Sequence, residues 1–212
     1  MHQPVFYIMT HDSIGLGEDG PTHQPVEHMA ACRSIPGVMV MRPGDANEVS
    51  KCYQASLEDS KRPTVIVLSR QSMPTFDRSV YGSADGVLKG AYILKDTEGT
   101  PDAIVMGTGS EVVLCVKAAQ QLEEQGVKTR VVSVPCWELF DDQSEEYQES
   151  VLPSSVTNRV AVEAGIKMGW EKYLGSSGKF IGMSSFGGSA PFEELYEEFG
   201  ITEKAIVAAV KG

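Results

Sequence analysis

The sequence has no closely spaced cysteines: its four, Cys32, Cys52, Cys115 and Cys136, stand far apart with no CxxC pair. That spacing argues against a disulfide framework and against a zinc site built on paired cysteines, and it predicts reduced, mostly buried thiols. Positive charge is also scarce, with 18 Lys and Arg against 29 Asp and Glu, a formal net charge of -11. A field of that sign repels phosphate backbones and anionic lipid surfaces, so neither a nucleic acid nor a membrane is expected as partner. No apolar run approaches the roughly 18 residues needed to span a bilayer. Met1-His2-Gln3-Pro4 carries no basic region leading into a signal sequence. A soluble protein is expected, in which a transit peptide on a longer precursor would not be visible.

What is present is core-forming material. A chain of 212 residues that is 42% hydrophobic and 22% charged suffices for one large or two small globular domains. Short β-branched runs alternate with longer helical patterns, which predicts an α/β fold of mostly parallel sheets flanked by helices. Strands are expected at Val5–Met9, Val38–Met41 and Thr64–Leu68. Pro25 marks a first helical turn ahead of Val26, Met29, Ala30 and Arg33, and Asp45-Ala46-Asn47-Glu48 reads as a capping box opening a helix to about Asp59. From Gln71 to Lys89 periodicity fades and Pro, Ser, Asp and Gly accumulate, as in a linker. A second unit follows, with strands at Ala91–Leu94, Ala103–Met106, Thr129–Val134, Arg159–Glu163 and Phe180–Met183. Its helices are expected at Ser110–Gln125, Pro191–Phe199 and Thr202–Lys211. The chain therefore divides into residues 1–88 and 89–212. Three parallel strands seldom make a two-sided domain alone, so the first unit is expected to be incomplete and to expose a sheet edge.

The loop after the first strand, THDSIGLGEDGPTHQP from Thr10 to Pro25, holds two of the four histidines together with acids and glycines. His11 stands at the carboxyl end of the first strand and Ser69-Arg70 at the carboxyl end of the third, the edge where parallel sheets bind ligands. Histidine titrates near a pKa of about 6.5 and can exchange protons with hydroxyl or carbonyl oxygens. His11, His23 and Asp19 suit a polyhydroxylated substrate, and the planar fork of Arg70 matches phosphate oxygens. Together they suggest a phosphorylated sugar. Any one of them alone is most often a solvated group or a turn cap, so the combination carries the reading. A metal site from His11, Asp12, Glu18, Asp19 and His23 is conceivable, but the spacings match no compact ligand motif, and no metal ligand is assigned.

Other features read as structure. Gly107-Thr108-Gly109-Ser110 invites a nucleotide-loop reading, yet Val112 takes the place of the third glycine of GxGxxG and no P-loop lysine follows. A tight strand-to-helix turn is the better account. The acidic run from Asp141 to Glu146 reads as a solvated helix face. Met168-Gly169-Trp170 and Tyr173 read as packing, and Ser184–Ser189 as a loop.

The run THDSIGLGEDGPTHQPVEH closely resembles the motif of transketolases, thiamine-diphosphate enzymes that move two-carbon ketol units between sugar phosphates. The resemblance continues through MRPGDANE, VLSRQ, IVMGTGSEV, ESVLP, VAVEAG, FGGSAP and EEFGIT, and so covers essentially the whole chain. Around WELFDDQSEEYQESVLP it is most like enzymes of photosynthetic organisms. It implies that residues 1–88 are the latter part of a pyrimidine-binding domain and that 89–212 are a C-terminal domain. It further implies that His11 and Arg70 hold the phosphate end of the substrate. Asp19 would hydrogen-bond a hydroxyl and enforce stereochemistry, and His23, the catalytic residue, would contact oxygens near the reacting carbons.

Departures from the family pattern matter as much. The acid that activates the cofactor's aminopyrimidine, its aromatic pocket and the metal-diphosphate motif have no counterpart here; Gly44-Asp45-Ala46-Asn47 lacks the motif's second glycine. Thiamine diphosphate with magnesium or calcium belongs to the complete enzyme, a homodimer in this reading, and no cofactor is expected on this chain alone. The expected partners are sugar phosphates and the N-terminal domains of the same enzyme, in cytoplasm or plastid stroma. The chain by itself is expected to be inactive. A non-catalytic assembly module, or a subunit of a split transketolase, is the alternative.

Overall fold

In the computed structural model, which describes residues 3–212, the first elements build a three-stranded parallel sheet. They are β1 (Phe6–Thr10), α1 (His28–Arg33), β2 (Met39–Met41), α2 (Ala46–Glu58) and β3 (Thr64–Leu68), with strand order β1-β3-β2. The next elements are β4 (Tyr92–Lys95), β5 (Ala103–Gly107), α3 (Val112–Glu124), β6 (Thr129–Ser133), α4 (Trp137–Asp141) and α5 (Glu145–Val151). They are followed by β7 (Arg159–Glu163), α6 (Glu171–Leu174), β8 (Lys179–Gly182), α7 (Phe192–Glu198) and α8 (Glu203–Lys211). The second sheet has order β4-β6-β5-β7-β8 and is parallel except for β4, which runs against β6. This is the expected α/β class.

Local chemistry accounts for these elements. Strands β5 and β6 bury every residue, as strands covered on both faces must; β5 is apolar throughout, whereas β6 opens on Thr129-Arg130 and closes on Ser133, whose polar groups are hydrogen-bonded. In α3, Val112, Cys115, Val116, Ala119 and Leu122 recur at helical spacing and are all buried. The α2 cap is a variant of the expected box: Asp45 Oδ1 accepts from the Glu48 amide at 2.8 Å, while Glu48 reaches past Asp45 to accept from the Gly44 amide at 2.6 Å. The four cysteines are free; burial pushes the thiols of Cys52, Cys115 and Cys136 up, and Cys32 is partly buried.

Some local expectations change. The helix expected from Pro25 begins only at His28, because the carbonyl of Val26 is bound by the Ile166 amide of the second unit at 3.2 Å. The acids of the run are exposed, as expected, but they do not share one helix face: Asp141 accepts from Tyr173 at 2.9 Å and pairs with Lys172 at 2.5 Å, Asp142 pairs with Arg62 at 2.8 Å, and the helix is interrupted between α4 and α5. Met168 is 61% exposed, whereas Trp170 and Tyr173 are buried in an aromatic cluster with Trp137 and Phe140. Residues 71–89 are anchored at intervals, with Gln71, Phe76, Ala84 and Val87 buried and a 3-10 turn at Ala84–Lys89, while Val80 is 73% exposed. In β1, Tyr7, Ile8 and Met9 stay 43–49% exposed, so this sheet has an open apolar edge.

Three buried polar knots join the sheets. Glu48 of α2 accepts from Tyr92 at 2.7 Å and Ser133 at 2.6 Å, while Arg78 spans Asp45 and Tyr92. Arg33 of α1 forks onto Glu163 of β7 through two bonds of 2.9 Å, stacks 3.9 Å above the Trp137 ring, and shares Glu163 with Trp170 Nε1 at 2.7 Å. The third knot, on Arg42, belongs with the site.

The Glu163 knot gives a pH prediction. Burial opposes the Glu163 charge, but Arg33, then Arg42 and Trp170, hold the carboxyl below the ordinary glutamate value of 4.5. A lowered native pKa means that the contribution is fully present above the ordinary value and is lost as pH falls through the native one. Glu163→Gln is therefore expected to lower stability by about 1–3 kcal/mol near pH 6, with the gap from wild type shrinking toward about pH 3. Urea unfolding across that range measures it. Glu48, raised by burial, tilts the other way and loses stability as pH rises, so the difference between variants isolates Glu163.

Candidate functional site

Parallel pairing of β1 with β3 sets Thr10 opposite Leu68, so His11 and Arg70 leave the same sheet edge from adjacent strands. Both are exposed. His11 is the only non-glycine residue with positive φ among those described, at 65°, a left-handed conformation that turns the chain sharply away from the strand. Its Nδ1 lies 2.9 Å from Thr10 Oγ1. Arg33, Arg42, Arg62, Arg78, Arg130 and Arg159 are all engaged by carboxylates or carbonyl oxygens. Among the described residues, Arg70 alone of the arginines has no such partner, which leaves its fork available to an anion.

The loop itself is compact. It passes through 3-10 turns at Ile14–Leu16 and Pro21–His23, with Asp19 exposed between them. His23 is exposed and its Nδ1 sits 3.1 Å from Thr22 Oγ1, so Nε2 is open to solvent or a ligand. Gly15 lies against the Gln71 side chain, whose Cδ is 2.7 Å from where a Cβ would stand. The residue next to Arg70 thus packs directly under the histidine loop. His11, Asp19 and His23 share one loop and Arg70 stands beside its root; Asp12 does not face outward with them.

Asp12 turns inward to Arg42, which is fully buried. Arg42 Nη2 pairs with Asp12 at 2.6 Å, Nη1 binds the Thr108 carbonyl at 2.7 Å and the Glu111 carboxylate, and Nη2 meets Ser110 at 3.2 Å. Glu111 also accepts from Tyr196 at 2.6 Å and from the Ala164 amide at 3.0 Å. Burial opposes the guanidinium charge, but Glu111 and Asp12 raise its pKa well above the usual range. Burial, then Glu111, pushes the Tyr196 hydroxyl up as well, so it stays a donor. The Gly107–Ser110 turn is therefore filled by arginine: a Cβ on Gly109, which has φ 57°, would stand 2.6 Å from Arg42 Nε. The tight-turn account holds, and no room remains for a nucleotide phosphate.

Sequence reasoning missed Arg42, Gln24, Gln71 and the Gly187–Ser189 strap. Gln24 Nε2 donates to the carbonyls of Gly17 at 3.0 Å and Gly188 at 2.9 Å, and Ser189 Oγ donates to the Glu18 carbonyl at 2.8 Å. The available signal was charge at the margins of apolar strands: Arg42 just after MVM, Glu111 just before VVLCV.

The buried carboxylates Asp12, Asp45, Glu48, Glu111 and Glu163 are all engaged by arginine, tyrosine, serine or backbone groups, which leaves none to bind a ring nitrogen. No group of three or more His, Cys, Asp or Glu among the described residues could hold a metal ion, and no helix among them is long and apolar enough to cross a membrane.

Comparison with known proteins converges. Residues 1–75 match the transketolase pyrimidine-binding domain and residues 90–202 the transketolase-like C-terminal domain. A chloroplastic transketolase of Craterostigma plantagineum is 53% identical over 209 residues, covering 98% of this chain and 40% of that protein. The transketolase of Aquifex aeolicus is 52% identical over 206 residues, covering 97% of this chain and 30% of that one. Among solved structures, transketolase from Leishmania mexicana is 45% identical with a TM-score of 0.92, covering 99% of this chain and 30% of its own. A Pichia stipitis transketolase in complex with sedoheptulose-7-phosphate is 40% identical with a TM-score of 0.91, at the same coverage. The chain thus spans 28–40% of the length of the curated relatives it matches.

Proposed function

The chain belongs to the transketolase family, and on that premise we propose that it supplies the sugar-phosphate wall of a transketolase site. The family implies thiamine diphosphate and a divalent ion, magnesium or calcium, in the complete enzyme. The segment alone is inactive and does not bind the cofactor; micromolar binding of thiamine diphosphate by calorimetry would contradict this. In the intact enzyme Arg70 and His11 grip the phosphate, Asp19 holds a hydroxyl, and His23 exchanges a proton with an oxygen near the reacting carbons. The chloroplastic relatives support the plastid stroma as compartment, with the cytoplasm as alternative.

The observation that carries the reading is Arg70: exposed, without a partner, and on the same sheet edge as His11. In an intact transketolase containing this segment, Arg70→Ala is expected to raise KM for a phosphorylated ketose about ten- to a hundredfold, as loss of charge-assisted bonds should. KM for an unphosphorylated ketose should hold. Equal effects on both sugars would overturn the assignment, and normal kinetics with an altered dimer mass would favour an assembly role instead.

A further inference from the structure

We infer that Ser189, on the second unit, is a specificity-determining residue that positions Asp19 by holding the backbone on either side of it. The inference rests on the assignment of Asp19 to a substrate hydroxyl. The strap 187–190 runs along the histidine loop at a stretch where Gly17 and Gly20 take φ of 84° and 90°. Ser189 Oγ donates to the carbonyl of Glu18, one residue before Asp19, at 2.8 Å. Its Cβ stands 3.6 Å from where a side chain on Gly20, one residue after Asp19, would begin. Asp19 is therefore bracketed by a single side chain from the other unit.

The strap is itself anchored. Gln24 bonds the Gly188 carbonyl at 2.9 Å, and the Gly188 amide returns a bond to Gln24 Oε1 at 3.2 Å. Gly188 packs against buried Leu195 of α7, whose Cδ2 is 3.0 Å from the place of a Cβ. Asp19 makes no side-chain hydrogen bond to another described residue, so its carboxylate is aimed by its backbone and by nothing else. A carboxylate that discriminates between two configurations of a hydroxyl must be fixed more tightly than the difference between them, and Ser189 is the contact that fixes it.

The test compares a ketopentose phosphate with its epimer at the hydroxyl beside the carbonyl, in an intact transketolase containing this segment. Asp19→Ala is expected to lower the kcat/KM ratio between the epimers about ten- to a hundredfold. Ser189→Ala should lower it about three- to tenfold, as for loss of one neutral hydrogen bond, and Ser189→Thr should restore it. Phosphate-dependent KM should stay put in both Ser189 variants, which a general structural defect would not allow. On the chain itself, the Gly20 amide, bonded to the Gly17 carbonyl at 3.1 Å, should exchange about three- to tenfold faster in Ser189→Ala. Unchanged epimer discrimination in Ser189→Ala, with Asp19→Ala impaired, overturns the inference and leaves the site reading standing. If Asp19→Ala also keeps full discrimination, the site reading fails and the inference falls with it.

Discussion

Arg42→Met is expected to remove about 3–5 kcal/mol of stability, a large part of what a domain of ordinary stability, roughly 5–15 kcal/mol, possesses. Methionine fills much of the arginine's volume but carries no charge, so the loss is electrostatic rather than a cavity. Asp12 and Glu111 would be left at 1% and 0% side-chain exposure with no cation between them, and the Thr108 carbonyl would lose its shorter donor, keeping only the Glu111 amide at 3.4 Å. Carboxylates so placed must either take up protons or find water, and either outcome loosens the seam between the first sheet and the Gly107–Ser110 turn. The measurement is a urea melt of the variant against wild type. A triple change, Asp12→Asn, Arg42→Met and Glu111→Gln, should recover most of the loss, because it removes the unpaired charges together with their partner. A single variant within about 1 kcal/mol of wild type would refute this account of the seam.

The same knot explains what the sequence displayed and what it concealed. Strands such as Thr64–Leu68 and Arg159–Glu163 were legible to the residue, because each has a run of β-branched and small apolar residues bounded by polar ones. The α2 start was legible because Asp45 and Glu48 answer local amides. Arg42, Glu111 and Glu163 look from sequence like ordinary polar ends of apolar segments, since each finds its partner at long range: Arg42 meets Glu111 across 69 residues and Arg33 meets Glu163 across 130. Nothing in local propensity specifies such a pairing. Only the observation that a charge directly abuts an apolar run hints that it needs one.

The site divides along the same line. His11, Asp19, His23 and Arg70, proposed to face the substrate, stand out in the sequence because polar groups near a strand's carboxyl edge have few structural duties. The strap reads from sequence as an unassigned loop, because the Ser189 bond to Glu18 spans 171 residues and ends on a backbone carbonyl, which has no sequence signature. The left-handed turn at His11 was equally hidden: glycine would announce such a φ, whereas histidine does not. The residues proposed to touch a ligand can therefore be named from sequence, and those proposed to aim them cannot.

Of these groups, His23 is expected to show the largest kinetic effect. In an intact transketolase containing this segment, His23→Ala should lower kcat/KM about a hundred- to ten-thousandfold, the range for loss of a positioned proton donor or acceptor. The control is His28, five residues on and also exposed, at the start of α1 with Glu27 at 4.0 Å. Both are solvent-facing histidines of one segment, so composition and surface charge change alike in the two variants. They differ in setting. His23 is held in a 3-10 turn with Nδ1 beside Thr22, on the loop that also carries Asp19, whereas His28 opens a helix and its side chain pairs with Glu27. His28→Ala should stay within about twofold of wild type, as surface changes usually do. His23→Gln should recover only the part of the loss that hydrogen bonding supplies, because glutamine can position an oxygen but cannot exchange a proton with it near neutral pH. Full recovery in His23→Gln would reduce the histidine to a binding group, and a comparable loss in His28→Ala would show that the segment tolerates no histidine change at all.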